Sequence, residues 1–378
     1  MSTTGVIAPQ NQHLESVLIV RLGAMGDVIH ALPVVTALRK ASPGMTLGWL
    51  IEERWVELLC TLRSPRSGPR SPQRPLIDRV HSVDTAGWRR APISFHTWQQ
   101  MAVRWSEVRG IHYEAVIDLQ GAIRSAVFAR WSGAPVIIGS AQPRENAASM
   151  FYTSKVLTTA NSHVVEQGFE LARAISPSLA ADSAIELPVD QDAETRVGAL
   201  LAGVRDFAIL NPGAGWGAKR WPAERYAEVA RELAADGLTS FVNHGPGEEE
   251  LASSLETASQ GAARKIACSI SELIALTRRA RLFVGGDTGP LHLAAALNIP
   301  VVAIFGPTNP ARNGPFRAKS IVLRSANSVT DHSRYGDPEL GLLEIKASEV
   351  VAAARTLLND SASQQRAAGQ ADPGKSGE

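Results

Sequence analysis

Val17-Leu18-Ile19-Val20-Arg21-Leu22-Gly23-Ala24-Met25-Gly26-Asp27-Val28-Ile29-His30 is the stretch on which the fold turns. A continuous, branched apolar run suits a strand buried on both faces of a parallel sheet. Two glycines follow at a tight turn, and helical spacing then begins. The same alternation continues outward from this unit. Apolar runs at 17–22, 46–51, 115–119 and 135–139 are interleaved with amphipathic segments at 28–40, 99–109 and 122–132. The series restarts near residue 205, with strands expected at 207–210, 239–243, 281–285 and 300–305. Helices are expected there at 223–235, 271–279 and 290–297. Strand–helix alternation of this kind predicts an α/β protein with parallel sheets covered by helices on both sides. The expected division is a first domain over residues 1–185 and a second over 186–345. A C-terminal helix over 346–360 and a disordered Ser/Gln/Ala/Gly-rich tail over 361–378 follow.

Composition narrows the class. The chain has 378 residues, 44% hydrophobic and 20% charged, which is ordinary for a globular enzyme. It lacks the run of about 18 apolar residues that a membrane-spanning helix needs. The start of the chain lacks the basic-then-apolar order of a secretory signal. Cys60 and Cys268 are isolated, as expected in a reducing cytoplasm and without metal-like spacing. Net charge is only +1, and no nucleic-acid partner is expected. Charge is unevenly placed, however: residues 61–130 hold 11 Arg against 5 Asp and Glu. Within them, Arg63-Ser64-Pro65-Arg66-Ser67-Gly68-Pro69-Arg70-Ser71-Pro72-Gln73-Arg74 reads as a mobile basic loop. It is either a contact for an anionic acceptor or membrane surface, or a solvated insertion. Trp98, Met101, Trp105 and Val108 recur at helical spacing nearby. Periodicity favours a stripe packed into the first domain over an interfacial face.

Four further motifs fall at strand ends. The Gly23–Asp27 turn does not match the dinucleotide pattern Gly-x-Gly-x-x-Gly, and a carboxylate there would repel a pyrophosphate. Asp27 opens a helix, so it is either a cap or a general base aimed into a crevice at the sheet edge. Asn211-Pro212-Gly213-Ala214-Gly215-Trp216-Gly217-Ala218-Lys219-Arg220-Trp221-Pro222 offers free backbone and two cations to an anion. It lacks the Gly-Lys-Ser/Thr order of a Walker loop. Gly285-Gly286-Asp287-Thr288-Gly289-Pro290-Leu291-His292 places a strand end, a turn and a helix N-terminus in succession. Thr288, the Gly289 amide and His292 are there within reach of a phosphate. Ile304-Phe305-Gly306-Pro307-Thr308 and Asn243-His244-Gly245-Pro246-Gly247-Glu248 end two more strands at the same edge.

Taken in order, Gly26-Asp27-Val28, Lys219-Arg220-Trp221-Pro222, Asp287-Thr288-Gly289-Pro290-Leu291-His292 and Gly306-Pro307-Thr308 resemble glycosyltransferase family 9, the ADP-heptose:lipopolysaccharide heptosyltransferases. The resemblance covers roughly residues 17–310. Asp118-Leu119-Gln120-Gly121-Ala122-Ile123-Arg124-Ser125-Ala126 and Arg144-Glu145-Asn146-Ala147-Ala148-Ser149-Met150-Phe151-Tyr152 resemble the type I enzymes. Asn211-Pro212-Gly213-Ala214 is closer to type II.

The resemblance implies a GT-B fold, with two Rossmann-like domains facing across a cleft and the nucleotide in the second. It implies an inverting transfer without metal or other cofactor, from ADP-heptose to an anionic glycolipid of the Kdo-lipid A type. The reaction would take place in the cytoplasm, with peripheral contact at the inner membrane. On this reading Asp27 takes the acceptor proton and Lys219, Thr288 and the Gly289 amide stabilise the departing diphosphate. Gly213, Ala214 and Glu248 hold the donor, Glu248 at the ribose, and Asp287 and His292 fix sugar or phosphate geometry. Gly26, Arg124 and Arg144 meet the acceptor, where a guanidinium suits an acidic sugar. Three rivals remain at this stage: a nucleotide-sugar epimerase on the same scaffold, a nicotinamide-dependent dehydrogenase and a non-enzymatic sugar-binding protein.

Overall fold

The computed structural model describes residues 14–182, 184–331 and 336–370. The chain divides into two units, Met1–Gln191 and Asp192–Glu378. In the first, β1 (Ser16–Val20), β2 (Thr46–Glu52), β3 (Arg79–Val83), β4 (Ala115–Asp118), β5 (Val136–Ser140) and β6 (Ser154–Val156) form one sheet. Its order is β3-β2-β1-β4-β5-β6, and every pairing is parallel. In the second unit, β7 (Phe207–Asn211), β8 (Thr239–His244), β9 (Ala263–Ala267), β10 (Leu282–Gly286), β11 (Val301–Ile304) and β12 (Ser320–Leu323) repeat the plan. Their order, β12-β11-β10-β7-β8-β9, is the same topology read from the other edge, again all parallel.

This order reverses direction between β1 and β4, and between β7 and β10. In such sheets a crevice opens beyond the C-terminal ends of those two strands. The sequence therefore needs only to put chemistry at or beyond the ends of β1, β4, β7 and β10: Asp118 and Asn211 close β4 and β7, and Asp27 and Asp287 follow β1 and β10.

Burial on both faces explains why the central strands are continuously apolar. In the second sheet, Ala208, Leu210, Val242, Val284 and Val302 face helices Ala223–Ala235 and Ala347–Gln370. Phe207, Ile209, Phe241 and Phe283 point the other way, toward Gln191–Leu200 and Ile270–Thr277. Alternation along a strand sends neighbours to opposite faces, so both layers are held by the same few residues. Each such buried Val, Leu, Ile or Phe side chain contributes about 1.5–3 kcal/mol.

Three expectations change. The division falls at 191/192 and not at 185/186, because Leu187 is buried and the Val189 amide donates to Pro72 O (2.9 Å), tying this stretch to the first unit. The last helix begins at Ala347 and continues to Gln370, past the expected end at 360, through a segment rich in the helix formers Ala and Gln. The rest of the expected tail, 371–378, lies outside the described residues.

The third change concerns the basic segment 63–74, which is an ordered loop. Arg74 is buried and donates to Pro65 O (2.9 Å), Pro69 O (2.8 Å) and Gly68 O. Arg66 pairs with Glu53 (2.5 Å), and Arg70 lies 3.5 Å from Asp78. Val80 N donates to Arg66 O (2.7 Å), and Ser67 bridges antiparallel to Arg79. Arg74 thus staples its own loop, which a guanidinium can do because it has five donors to distribute over carbonyls, and Arg66 and Arg70 tie the loop to Glu53 and Asp78.

Candidate functional site

In the second unit the strand ends converge on Asp287. Its Oδ2 accepts from Lys219 Nζ at 2.6 Å and its Oδ1 lies 2.9 Å from His292 Nε2. Lys219 Nζ also reaches Asp287 O at 3.3 Å and stands 4.4 Å above the Trp216 ring. Only 8% of the Asp287 side chain is exposed. Burial alone would raise its pKa, but His292 and Lys219 outweigh burial and hold the carboxyl well below the usual range. The anion is thus fixed, and its two partners are fixed around it.

The helix Gly289–Ala296 starts at once, with Thr288 in extended conformation as its N-cap and Pro290 in the first turn. Its first-turn amides have no partners within the helix and face the crevice edge, a polarity suited to an anion. Thr288 Oγ1 donates to Gly286 O (3.2 Å) and lies 3.5 Å from Asn211 Nδ2.

Asn211 organises the neighbouring loop. Its amide donates to Gly213 O (3.1 Å), its Oδ1 accepts from Asn243 (2.7 Å) and its own carbonyl accepts from the buried Tyr226 hydroxyl (3.2 Å). A Cβ at Gly213 would lie 2.1 Å from Glu248 Oε2, so the Glu248 carboxylate sits directly against the Gly213 backbone. Glu248 in turn accepts from Gly245 N at 2.9 Å. Gly213 and Glu248 are therefore brought into contact. Ala214 contributes its carbonyl, which accepts both Arg220 Nε (3.2 Å) and Nη2 (3.1 Å). Arg220 folds back on its own loop, so Lys219 is the cation turned to the strand ends. Trp221 is buried against Tyr226 with ring centroids 4.9 Å apart, and donates to Ile345 O (3.0 Å). It anchors the turn that carries Lys219.

In the first unit Asp27 sits in the opening turn of Met25–Ala41, just after the buried Gly26. Its Oδ2 accepts from Ala24 N (3.0 Å) and its Oδ1 pairs with Arg21 Nη2 (2.7 Å), leaving 37% of the side chain exposed. The capping role is thus present. Each carboxylate oxygen has two acceptor sites, so one per oxygen remains open. Arg21 also donates to Leu119 O, linking the turn after β1 to the turn after β4.

Arg124 donates to Thr85 Oγ1 (2.6 Å) and lies 3.6 Å from Glu52 Oε1. Glu52 is buried and also accepts from the Thr85 hydroxyl and, at 3.2 Å, the Thr85 amide. Arg144 is exposed, on a segment whose backbone lies against Gly121. Gly121 has φ +66°, a conformation favouring glycine, and its carbonyl accepts from Glu145 N (2.9 Å).

Sequence reading missed Asp118, Glu52 and Asn211 as organisers. Asp118 is buried at the end of β4 and accepts from Gln120 N (2.9 Å), Gly121 N (3.2 Å), Ser125 Oγ (2.8 Å) and Tyr152 OH (2.8 Å). Burial raises its pKa despite those donors. The available signal was a polar residue directly closing an apolar run. Among the described residues, no group of three or more His, Cys, Asp or Glu could hold a metal ion.

With this geometry established, comparison with known proteins agrees on one family. Residues 102–342 match glycosyltransferase family 9 (heptosyltransferase). The chain is 30% identical over 319 residues to lipopolysaccharide heptosyltransferase 1 of Pseudomonas aeruginosa PAO1, covering 82% of this chain and 83% of that protein. It is 28% identical over 316 residues to lipopolysaccharide heptosyltransferase 1 of Escherichia coli K12, covering 82% and 93%. Among solved structures, E. coli heptosyltransferase WaaC with ADP superposes with a TM-score of 0.73 at 26% identity, over 90% of this chain and 99% of that one.

Proposed function

The chain belongs to glycosyltransferase family 9, and from that premise we propose that it moves L-glycero-D-manno-heptose from ADP-heptose to the Kdo region of a lipopolysaccharide inner core. Family membership removes the dehydrogenase, epimerase and non-enzymatic rivals. The type I assignment draws support from relatives named heptosyltransferase 1 that align over four-fifths of the chain. The observation that carries the site reading is the Lys219–Asp287–His292 arrangement beside a helix N-terminus. A lysine and a histidine gathered on one buried carboxylate, next to a helix N-terminus, suit a diphosphate that must leave with its charge spread.

In the proposed step, an acceptor hydroxyl attacks the anomeric carbon from the face opposite the diphosphate. The new carbon–oxygen bond forms as the sugar–phosphate bond breaks, and that bond's electron pair goes to the leaving oxygen. The hydroxyl proton passes to Asp27, and the sugar inverts. Lys219, Thr288 and the Gly289 amide receive the growing charge on ADP, while Asp287 and His292 hold Lys219 and the turn in place. Gly213, Ala214 and Glu248 shape the nucleoside side of the site. Gly26, Arg124 and Arg144 meet the acidic acceptor. No step is routed through a metal.

The test is direct. Purified protein is mixed with ADP-heptose and a deacylated acceptor ending in Kdo, with chelator present, and ADP release and product mass are followed. A product one heptose heavier, absent with Asp27→Ala, is the expected result. ADP release without a heavier product would overturn the acceptor assignment, and activity restored only by added divalent metal would overturn metal independence.

A further inference from the structure

Lys219 is held by two groups of different kinds. One is the Asp287 carboxylate, at 2.6 Å, and the other is the Trp216 ring, whose centroid lies 4.4 Å from Nζ. The local backbone explains the second contact. Gly217–Lys219 is a single 3-10 turn with Trp216 as its N-cap. Lys219 N donates to Trp216 O (3.2 Å) and Arg220 N to Gly217 O (2.9 Å). Such a turn has about three residues per repeat, so side chains three apart eclipse. Trp216 and Lys219 are so spaced, with only Gly217 and Ala218 between them. The turn is also pinned from outside. Ala218 O accepts from Glu339 N (3.1 Å), and a Cβ at Gly217 would lie 1.6 Å from Gly336 O. Glu339 is fixed in turn, its carboxylate accepting from Ser328 Oγ (3.1 Å), Val329 N (3.2 Å) and Leu342 N (2.8 Å).

The two groups act on the ammonium differently. A carboxylate holds a cation and offsets its charge. An aromatic face holds a cation through its quadrupole and carries no net charge. The ammonium has three N–H donors, and Asp287 Oδ2 and Asp287 O engage two of them. Only 15% of the Lys219 side chain is exposed. The ring thus steadies the ammonium without adding a second negative charge beside it, which keeps the lysine fit to meet an anion.

We infer that Trp216 is a positioning residue for the donor diphosphate: it holds the Lys219 ammonium in place through its ring face, and it acts through Lys219 rather than by stacking on the nucleoside. The inference rests on the proposed role of Lys219 and deepens it, since it names the side chain that sets where that charge sits.

Binding of ADP, read by calorimetry, and of adenosine, read by competition against ADP, tests it. Trp216→Leu keeps an apolar side chain without a π face, and Trp216→Phe keeps both. Trp216→Leu should weaken ADP about fivefold, as loss of a partly shielded cation–π contact does, and leave adenosine binding unchanged. Trp216→Phe should recover most of the lost ADP affinity. In a Lys219→Ala background Trp216→Leu should have no further effect, because its partner is gone. Wild-type ADP affinity in Trp216→Leu would overturn the inference. So would an equal loss for ADP and adenosine, which would place the ring on the nucleoside. A loss in Trp216→Phe as large as in Trp216→Leu, or one undiminished after Lys219→Ala, would also overturn it, by reducing the ring to a structural plug. Lys219→Ala with unchanged ADP affinity would remove the phosphate role of Lys219 and this inference together, whereas a silent Trp216→Leu beside a weakened Lys219→Ala would remove Trp216 alone. Failure of heptose transfer with the expected binding pattern intact would count against the proposed function and leave Trp216 assigned.

Discussion

The two units share one strand order and put an aspartate just beyond a switch-point strand, yet the two carboxylates live differently. Asp287 is buried, with a cationic lysine on one oxygen, a histidine on the other and only 8% of its side chain exposed. Asp27 touches one arginine and one amide and keeps 37% of its side chain in solvent. A carboxylate shut off from solvent serves to organise its neighbours, whereas an exposed one can be reached by something that arrives. The same fold thus supplies a buried anchor in one unit and an exposed carboxylate, the proposed base, in the other, and the pair can be tested as such.

The sharpest test is Asp27→Ala. Turnover is expected to fall by about 10²–10⁴-fold, while the Kd for ADP, read by calorimetry, stays near wild type. An equal fall in ADP affinity would reduce Asp27 to a helix cap and break the contrast. Asp287→Ala should act on the other side of it. Removing one partner of a buried ion pair costs about 3–5 kcal/mol, so the melting temperature of the second unit should drop markedly.

The pH dependence follows from the sign of the Asp287 shift. Its folded pKa is depressed below 3.8, the ordinary value, so its stabilising contribution is fully present above that value. The contribution is lost as pH falls toward the folded pKa. The stability gap between wild type and Asp287→Asn should therefore be level from about pH 5 to 8 and narrow below about pH 4. A gap that narrowed near neutrality would assign it to another group.

Lys219→Ala should weaken ADP by about tenfold or more, the worth of a charge-assisted hydrogen bond, and slow turnover as well. Unchanged ADP affinity would mean that Lys219 serves only Asp287. The smallest effect is expected from Arg124→Gln. Its side chain is 43% exposed and its guanidinium shares Thr85 and Glu52, so the acceptor KM should rise severalfold while ADP binding stays unchanged.

The central strands were legible in the sequence because burial on both faces demands an unbroken apolar run. The four strands that sequence reading missed, β3, β6, β9 and β12, are the outer strands of the two sheets. An edge strand need satisfy only one neighbour, and Arg79-Val80-His81-Ser82-Val83 mixes polar and apolar residues accordingly. The loops ending in Lys219 and Asp287 were legible because glycine, charge and a helix start coincide there. The organising roles of Asp118 and Glu52 were not, since each depends on partners far along the chain, such as Tyr152 and Thr85. The Arg63–Arg74 stretch was misread for a related reason, as was Trp98, expected to pack into the first domain but 59% exposed. Composition counts charges and rings but does not say which of them the fold consumes.

The ordered Arg66–Arg74 loop has a bearing on solubility. β3 borders the first sheet, and an uncovered border strand invites pairing with a strand of another molecule. Here the Arg66 carbonyl and Ser67 already occupy the outer backbone of Arg79 and Val80, and the Arg66 side chain reaches Ser82. With its peptide groups engaged in this way, the start of β3 offers no template for intermolecular strand addition. The insertion that looked like a reaching arm works as a guard against aggregation at high concentration.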